Sequence, residues 1–451
     1  MTFDLIVANG SVVFPQNGVV AADIAVKNGR IAAILEPGTA QGLAADTIDA
    51  TGKLVFPGLI DAHIHFGFAE PICEYTTETI YAAQGGFSTV LGYFLNNEDY
   101  GGVFEREIAY AQPRAHVDYG FHFSTASERH IRDLETYVHR YGVRSFKYFM
   151  NFKGEEGRYL GLDGTDDGYL YALLQEAARI GGVTIVLHTE NIEIVNRIRR
   201  ELQAAGRSSL HDWSMSKPPF TEAESIVRAM YFAEHHRATI YIPHLSTRMG
   251  LNEVRRWRER YDRVYVETCP HYLTHTMDSD AGSIGKANPP FRSQDDVDAM
   301  WEGLADGSID VVASDHVPRK RATKEKGIWQ ASQGFPGTAT ILPVLMSEGY
   351  HKQRLSLQRI AQVLASTPAK IFALATKGDI RVGLDADFTL VDPDLEREVK
   401  AIELGSFSDY SLYDGWRFKG WPRMTVVRGV PVMANGSIVG PAGFGRYLSR
   451  T

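Results

Sequence analysis

The feature that most constrains the fold is a regular alternation of short apolar runs with helical patterns through the middle of the chain. Eight runs have the length and composition of buried strands: 58–64, 87–93, 117–123, 145–150, 183–188, 239–244, 264–268 and 309–314. Helical patterns separate most of them, for example at 169–180, 192–205, 222–235 and 294–305. Strands that alternate with helices indicate a parallel sheet, and eight such strands close a (β/α)8 barrel. The sequence therefore predicts an α/β protein with a TIM-like (β/α)8 barrel over residues 56–377.

The two ends of the chain, residues 1–55 and 378–451, consist instead of short β-rich runs without a helical period. Asn-Gly pairs, which favour tight turns, punctuate these runs at 9–10, 17–18, 28–29 and 435–436. Neither end has enough strands to bury a core by itself. We therefore expect both ends to pack together as one small β-sandwich domain beside the barrel. The C-terminal stretch, residues 421–450, is expected to extend to a neighbouring subunit.

Charge and hydropathy exclude several classes of function. The chain has 47 Lys and Arg against 55 Asp and Glu, a formal net charge of −8 that is spread along its length. This balance argues against a nucleic-acid partner or an anionic membrane surface. No apolar run approaches the roughly 18–20 residues needed to span a bilayer, and the N-terminus lacks the pattern of a signal peptide. The two cysteines cannot form a disulfide framework, so we expect a cytoplasmic protein.

Four of the predicted strands end in side chains that can ligate a metal ion. His63 and His65 end the first strand, His188 the fifth and His244 the sixth, while Asp315 follows the eighth. Residues i and i+2 of a strand point to the same side, so His63 and His65 can face one ion, although an isolated pair could also be packed polar histidines. The carboxyl ends of barrel strands converge on one mouth. These nitrogen and oxygen donors therefore predict a site for zinc or another borderline divalent metal.

A lysine inside the fourth apolar strand, Lys147, needs an explanation of its own. A charged and unpaired lysine at such a position costs several kcal/mol. It could form a buried ion pair, or its stem could extend to water. Beside two metal ions a third interpretation arises, in which Lys147 is carboxylated by CO2 and bridges both ions.

Eight motifs together resemble those of one enzyme superfamily. They are PGLIDAHIH at 57–65, SFKYFM at 145–150, HTEN at 188–191, PHLS at 243–246, NPPFR at 288–292, ASDH at 313–316, GFPG at 334–337 and GLDAD at 383–387. The chain resembles the amidohydrolase superfamily over nearly its whole length, and within it the branch of dihydropyrimidinases (hydantoinases), allantoinases and dihydroorotases.

The resemblance implies a site for two metal ions, usually Zn2+, with Mn2+, Co2+ or Fe2+ as alternatives. His63, His65 and Asp315 would hold one ion, His188 and His244 the other, and carboxylated Lys147 would bridge them. A hydroxide between the metals would attack the carbonyl carbon of a ring amide, and Asp315 would carry the proton to the departing nitrogen. The substrate is thus expected to be a small cyclic amide, ureide or imide.

The resemblance also bears on assembly and on whether the chain is an enzyme at all. It implies a homo-oligomer, either a homodimer or a homotetramer. The same branch includes dihydropyrimidinase-like assembly proteins that are not catalytic and have lost metal ligands. All six ligand positions are filled here, which favours an enzyme.

Two departures from the family pattern leave the substrate open between dihydropyrimidinase or hydantoinase activity and allantoinase activity. Dihydroorotases carry an arginine two residues after the His-x-His motif, where this chain has Gly67. Dihydropyrimidinases carry a tyrosine five residues after the bridging lysine, and its hydroxyl helps to hold the oxyanion. This chain has Phe152 there, so either another donor such as Tyr159 replaces the hydroxyl or the substrate differs.

The resemblance also places substrate-binding groups near the predicted metals. Main-chain groups at Asn288 and around Gln333 and Gly334 would pair with the ring amide. An aromatic set would contact the ring substituent, or else pack at the barrel rim: Phe66, Phe68, Tyr93, Phe94, Phe152 and Tyr159. Two further histidines, His271 and His316, are expected to be structural.

Overall fold

The structure is a computed structural model that describes residues 2–40, 42–67, 70–97, 99–154, 157 and 164–450. Its strands are numbered β1–β17 in chain order: Phe3–Phe14, Gly18–Lys27, Arg30–Leu35, Ala44–Asp49, Leu54–Pro57, Leu59–His65, Phe87–Phe94, Asp118–Ser124, Ser145–Phe149, Thr184–His188, Thr239–Ile242, Val264–Thr268, Val311–Val312, Phe388–Glu398, Arg417–Val427, Val430–Ala434 and Ser437–Ile438. These strands form two separate sheets, one of eight strands and one of nine.

The α-helices whose bounds lie in the described ranges are numbered α1–α13: Pro71–Gln84, Gly101–Ala111, Glu128–Arg132, Leu134–Tyr141, Asp167–Ile180, Ile192–Ala204, Leu210–Met215, Pro219–His236, Arg248–Arg258, Gln294–Asp306, Ile341–Val344, Leu357–Ala361 and Thr367–Ile371. Leu345–Tyr350 and Gln362–Ser366 are π-helical. Short 3-10 segments cover Pro270–Leu273, Gly282–Gly285, Arg321–Thr323, Thr338–Thr340 and Ala401–Glu403. None of the helices described is both long and apolar enough to cross a membrane.

The eight-stranded sheet is the predicted barrel, and its strands β6–β13 lie in sequence order and pair in parallel. The segment after β13 closes it against β6, because His316 N donates to His63 O at 3.3 Å and His65 N donates to His316 O at 2.8 Å. All eight predicted strands are present within a few residues of their expected bounds, and α5, α6, α8 and α10 match the four predicted helices. The barrel prediction is confirmed.

Local sequence explains where the helices around the barrel begin and end. Helix α10 begins after Ser293, whose hydroxyl accepts from Asp296 N while the Asp296 carboxylate accepts from Ser293 N. It ends at Gly307, whose φ of +88° is readily adopted by glycine. Helix α6 begins after Asn191, whose side chain accepts from Ile194 N. The two N-caps fix where α6 and α10 begin, and Gly307 fixes where α10 ends.

Both ends of the chain contribute to the nine-stranded sheet, as predicted. Its order is β17-β16-β15-β14-β5-β1-β2-β3, with β4 also paired to β1. The junction between the two ends is the antiparallel pairing of β5 with β14, in which Val55 lies opposite Leu390. One core cluster mixes residues from both ends, including Ile24, Phe388 and Val426.

The turn predicted at Asn9-Gly10 is wrong, because β1 runs through it. Asn9 has a φ of +62°, and the pairing of β1 with β2 shifts register between Val7 and Gly10. A Cβ at Gly10 would lie 2.6 Å from the Val55 side chain, so the chains approach too closely for a larger residue. The Asn-Gly pair therefore forms an irregularity inside a strand.

A buried charge cluster joins the barrel to the second sheet. The Lys377 ammonium contacts Asp118 at 2.6 Å, Asp387 at 2.7 Å and Asp385 at 3.1 Å, and Arg428 also pairs with Asp118. Three carboxylates this close could hold a cation. Here the lysine supplies the positive charge, so the cluster has a structural explanation.

The C-terminal stretch packs on its own barrel, and its expected extension to a neighbouring subunit stays a prediction. Gly445 N donates to Ala115 O at 2.9 Å, Leu448 N to Tyr119 O at 2.7 Å and Arg450 N to Gly142 O at 2.9 Å. These backbone bonds attach the stretch to segments just before or at the start of barrel strands. Phe444, Tyr447 and Leu448 of this stretch are half-buried and pack against core clusters of the same chain.

Candidate active site

The six predicted ligand residues line one cavity at the carboxyl ends of the barrel strands. His63 and His65 lie at the end of β6, Lys147 lies within β9, and His188 ends β10. His244 follows β11 by two residues, and Asp315 follows β13 by three. The cavity is also lined by Tyr93, Leu95, Ser124, Phe149, Phe152, Asn288, Val317, Arg319, Gln333 and Gly334.

An irregularity in β6 turns both histidines of the His-x-His motif toward this cavity. Ile60 and Ala62 belong to one apolar cluster, whereas Ile64 belongs to another. A regular strand would put these three residues on the same face. The pairing of β6 with β7 shifts register between Asp61 and Ile64, so the alternation changes just before the motif. Such irregularities commonly reorient side chains next to active sites.

Three donors form the tightest group. Asp315 Oδ1 lies 3.0 Å from His63 Nε2 and 3.1 Å from His65 Nε2, and one ligand atom from each residue lies within 4.8 Å of the others. Asp315 has a φ of +50°, a backbone region that side chains other than glycine rarely adopt. The tertiary structure holds the carboxylate between the two rings at the cost of this strain.

The second group comprises His188, His244 and Lys147. The rings of His188 and His244 are 4.5 Å apart between centroids, and His244 is 5.5 Å from His63 by the same measure. The Lys147 Nζ lies 4.9 Å from the Tyr93 ring centroid and 5.2 Å from that of Phe149. His244 also has a positive φ, +42°.

Two buried carboxylates behind the histidines fix which ring nitrogen faces the cavity, and sequence reasoning missed both. Glu267 in β12 contacts His63 Nδ1 at 2.7 Å and accepts from Tyr241 Oη at 2.7 Å and from His244 N at 3.0 Å. A carboxylate in the strand VYVET was the available signal, of the same kind as a lysine in the fourth strand.

The second carboxylate, Glu190, lies two residues after His188. It contacts His188 Nε2 at 3.0 Å and pairs with the Lys217 ammonium at 2.8 Å, and both members of that ion pair are fully buried. The contact leaves His188 Nδ1 available as a donor to a metal ion. Carboxylate partners of this kind set the tautomer of ligating histidines.

The charges of the site favour a cation at its centre. Burial lowers the pKa of His63, but the charges of Glu267 and Asp315 outweigh it and raise that pKa to about 9. A proton on His63 therefore supplies positive charge between two carboxylates in the metal-free protein. Burial also opposes the charged form of Asp315, but the nearby histidines hold its pKa well below the usual range.

Burial disfavours the charged forms of the remaining donors. Burial lowers the pKa of His65 to about 4 and that of His244 well below its usual range. Burial likewise lowers the pKa of Lys147 to about 8, despite the opposing charges of Asp315 and Glu267. Neutral imidazoles bind divalent metals, and a neutral amine is the form that reacts with CO2. The donor set and its protonation thus fit a pair of divalent ions.

The structure places only some of the predicted substrate-binding residues in the cavity wall. Phe152, Asn288, Gln333 and Gly334 line the cavity, whereas Tyr159 and Phe68 lie outside the described residues. Neither Phe66 nor Phe94 occurs among the described residues that line the cavity.

These two aromatic side chains instead pack against other rings. Phe66 is buried with its centroid 4.8 Å from that of Tyr75. Phe94 lies 5.6 Å from the ring of Tyr100. Their packing matches the alternative that aromatics of this set belong to the barrel rim.

The two histidines expected to be structural are buried beside the site. His316 Nδ1 accepts from Gly337 N at 3.1 Å, and His316 Nε2 contacts Glu78 at 2.8 Å. The ring of His271 packs edge-on against Phe335 at 4.9 Å. Both side chains are buried, and neither is among the described residues that line the cavity.

Comparisons with known proteins agree with this geometry. A family model described as "Amidohydrolase family" matches residues 54–432. An allantoinase from Rubrobacter xylanophilus is 36% identical, with 98% of this chain and 97% of the relative covered. An L-hydantoinase from Paenarthrobacter aurescens is 33% identical, with 99% and 98% covered. The crystal structure of a dihydropyrimidinase from Brevibacillus agri superposes with a TM-score of 0.91 at 29% identity, covering 99% of this chain and 98% of that one.

Proposed function

This chain belongs to the amidohydrolase family, and on that premise we propose that it is a metal-dependent hydrolase that opens the ring of a cyclic amide, ureide or imide, as dihydropyrimidinases and hydantoinases do. The observation that carries the proposal is the convergence of six donor residues on one cavity, with two buried carboxylates orienting the histidines. A purely structural site would not need neutral imidazoles, a strained carboxylate and a buried lysine in one place.

The proposed cofactor is a pair of Zn2+ ions, with Mn2+, Co2+ or Fe2+ as alternatives. His63, His65 and Asp315 would hold one ion and His188 and His244 the other. Lys147, carboxylated on Nζ, would bridge them. When bound, two such ions activate a water molecule near neutral pH and polarise the carbonyl oxygen of the ring amide.

The chain's own groups move the proton and hold the ring. The Asp315 carboxylate lines the cavity and would accept the proton of the attacking water. It would then deliver that proton to the ring nitrogen as the C–N bond breaks, since an amide nitrogen must be protonated to leave. The products are a carboxylate and the freed nitrogen of the same opened molecule.

The walls of the cavity would select the ring. Main-chain groups at Asn288 and Gln333 would pair with the amide N–H and C=O, which identifies a cyclic amide without reading its substituent. The aromatic side chains of Phe149 and Phe152 would face that substituent, because both line the cavity with their ring centroids 4.4 Å apart. An apolar or aromatic substituent suits such a surface.

Allantoinase activity is the second candidate, and Phe152 favours it. A phenylalanine cannot donate the hydrogen bond that a tyrosine gives to the developing oxyanion in dihydropyrimidinases. The allantoinase of R. xylanophilus is the relative with 36% identity over nearly the whole chain. Dihydroorotase activity is a weaker candidate because Gly67 provides no guanidinium for a substrate carboxylate. A non-catalytic assembly role would not explain why all six donor positions are kept.

We further propose a homodimer or homotetramer that works in the cytoplasm, with no nucleic-acid partner and no attachment to a membrane. The family resemblance supports the oligomer. The cytoplasmic location is supported by two free cysteines, of which Cys73 is exposed and Cys269 is buried.

Metal analysis and a substrate panel test the proposed function together. The gently purified protein should contain about two divalent ions per chain, and chelation should abolish an activity that added zinc restores. The panel comprises dihydrouracil, hydantoin, allantoin, dihydroorotate and cyclic imides. Ring opening is measured by the loss of ring-amide absorbance. One ion or none with full activity, or no ring opened by a protein loaded with two ions, would contradict the proposal.

A further inference from the structure

Two buried lysines lie behind the cavity wall and take no part in the proposed chemistry. The Lys324 ammonium is fully buried and donates to three main-chain oxygens: to Lys286 O at 2.9 Å, to Ser332 O at 2.9 Å and to Gly334 O at 2.8 Å. Three acceptors match the three N–H donors of an ammonium group. Within the described ranges, carbonyl oxygens and not carboxylates accept from this group.

These oxygens belong to two different segments of the chain, and each segment lines the cavity. Lys286 precedes Asn288 by two residues, whereas Ser332 and Gly334 flank Gln333. The ammonium of Lys324 therefore connects the wall that carries Asn288 with the wall that carries Gln333 and Gly334.

The side chain of Lys286, in the segment that carries Asn288, also bonds to the segment that carries Gln333. Its ammonium donates to Trp329 O at 3.0 Å and to Ala331 O at 2.8 Å, and Gly334 N donates to Lys286 O at 3.1 Å. Two lysine side chains and one backbone bond thus link the two segments. Burying a lysine is costly unless its donors are satisfied, so both links are lost only at a substantial cost in stability.

We propose that Lys324 and Lys286 are positioning residues that fix the spacing between the two cavity walls and thereby determine which ring size the enzyme accepts. The inference rests on the proposed function, in which main-chain groups of both walls pair with the ring amide. Five- and six-membered rings present their N–H and C=O groups at different separations, so a fixed spacing favours one of them. A displacement of about 1 Å can lower a rate by about 100-fold.

The test compares variants of the full-length, zinc-loaded protein. Lys324→Met and Lys286→Met keep much of the side-chain volume but remove the donors. Lys326→Met is the matched control, because Lys326 is exposed and lies in the same segment as Lys324. Each protein is assayed with hydantoin and with dihydrouracil, and its amide hydrogen exchange is measured over 284–292 and 329–336.

Both buried-lysine variants should exchange at least tenfold faster in the two segments. Their ratio of kcat/KM for hydantoin to that for dihydrouracil should move at least tenfold toward one, while the control stays at the wild-type ratio. Faster exchange with an unchanged ratio would reduce the lysines to a structural role and overturn the inference, as would unchanged exchange. If Lys324→Met does not fold, Lys286→Met decides by the same criteria.

The failure of the proposed function would look different. A wild-type protein that opens neither ring in the full substrate panel would refute that function. Hydrogen exchange would then still test the physical link between the walls, and unchanged exchange in both variants would overturn it independently of any activity.

Discussion

The Nδ1 atom of His63 lies 2.7 Å from a carboxylate oxygen of Glu267, and this contact leaves His63 Nε2 facing Asp315 at 3.0 Å. Once the His63 ring loses the proton on Nε2, the buried carboxylate keeps the remaining proton on Nδ1, so the Nε2 lone pair becomes available to a metal ion. Glu267 also accepts from the backbone of His244. One carboxylate therefore positions a donor from each of the two proposed metal groups.

Replacing Glu267 by glutamine should weaken metal binding by about 10- to 100-fold, the range typical for partners of ligating histidines. The amide keeps the shape but loses the negative charge and no longer fixes the tautomer. Zinc affinity measured by competition with a chelator checks this. Glu259→Gln, at an exposed position, is the control. Equal affinity in the two variants would mean that Glu267 does not orient the site.

The bridging role of Lys147 predicts that both Lys147→Ala and Lys147→Arg lose at least one metal and nearly all activity. An unmodified ammonium between two dications would be repelled by several kcal/mol even at an effective dielectric near 20. Guanidinium cannot lose a proton to react with CO2. A short carboxylic acid added to Lys147→Ala should restore part of the activity by replacing the bridge. Two metals and wild-type turnover in Lys147→Arg would refute the role.

The pH dependence of reconstitution follows from the same lysine in the metal-free protein. Burial lowers the pKa of Lys147 to about 8, and only the neutral amine reacts with CO2. Below pH 8 the neutral fraction rises about tenfold per pH unit, and above it the fraction levels off. Reactivation of metal-free protein by zinc and bicarbonate should follow this curve when the concentration of molecular CO2 is held constant at each pH. A rate that falls as the pH rises from 6 to 8 would contradict the prediction.

Periodicity identified the barrel because its strands are buried on both faces and separated by helices of ordinary length. The second sheet was predictable only in outline, since pairing between residues hundreds of positions apart leaves no local signal. The pairing of β5 with β14 is an example. Asn9-Gly10 failed for a related reason, because the same dipeptide serves a tight turn and a bulge, and only the neighbouring Val55 decides between them.

The candidate site was likewise predictable from the sequence only in part. Donor residues at strand ends were visible from the sequence because barrel topology brings those ends together. Their partners were not, since Glu267 and Glu190 act through side-chain geometry that depends on packing. The packing of Phe66 away from the cavity likewise depends on the register shift in β6, which no local pattern announces.

Phe152 offers the sharpest test of which ring the enzyme opens. Its ring lines the cavity, 4.4 Å from that of Phe149 and 6.3 Å from that of His188, at the position where dihydropyrimidinases carry a tyrosine. Phe152→Tyr adds one hydroxyl to this wall without changing the ring. Loss of an oxyanion donor typically lowers the rate by about 100-fold or more, so the gain of such a donor can raise the rate substantially.

We expect Phe152→Tyr to raise kcat for hydantoin and dihydrouracil by about 10-fold or more, with little change in KM, because the new hydrogen bond forms mainly in the transition state. Phe220→Tyr, on the exposed surface of α8, should change neither constant. Unchanged or lower kcat on every ring of the panel would show that another group already holds the oxyanion. An enzyme specialised for allantoin would instead lose activity on allantoin, since the added hydroxyl would need to be accommodated in a wall shaped for a phenyl ring.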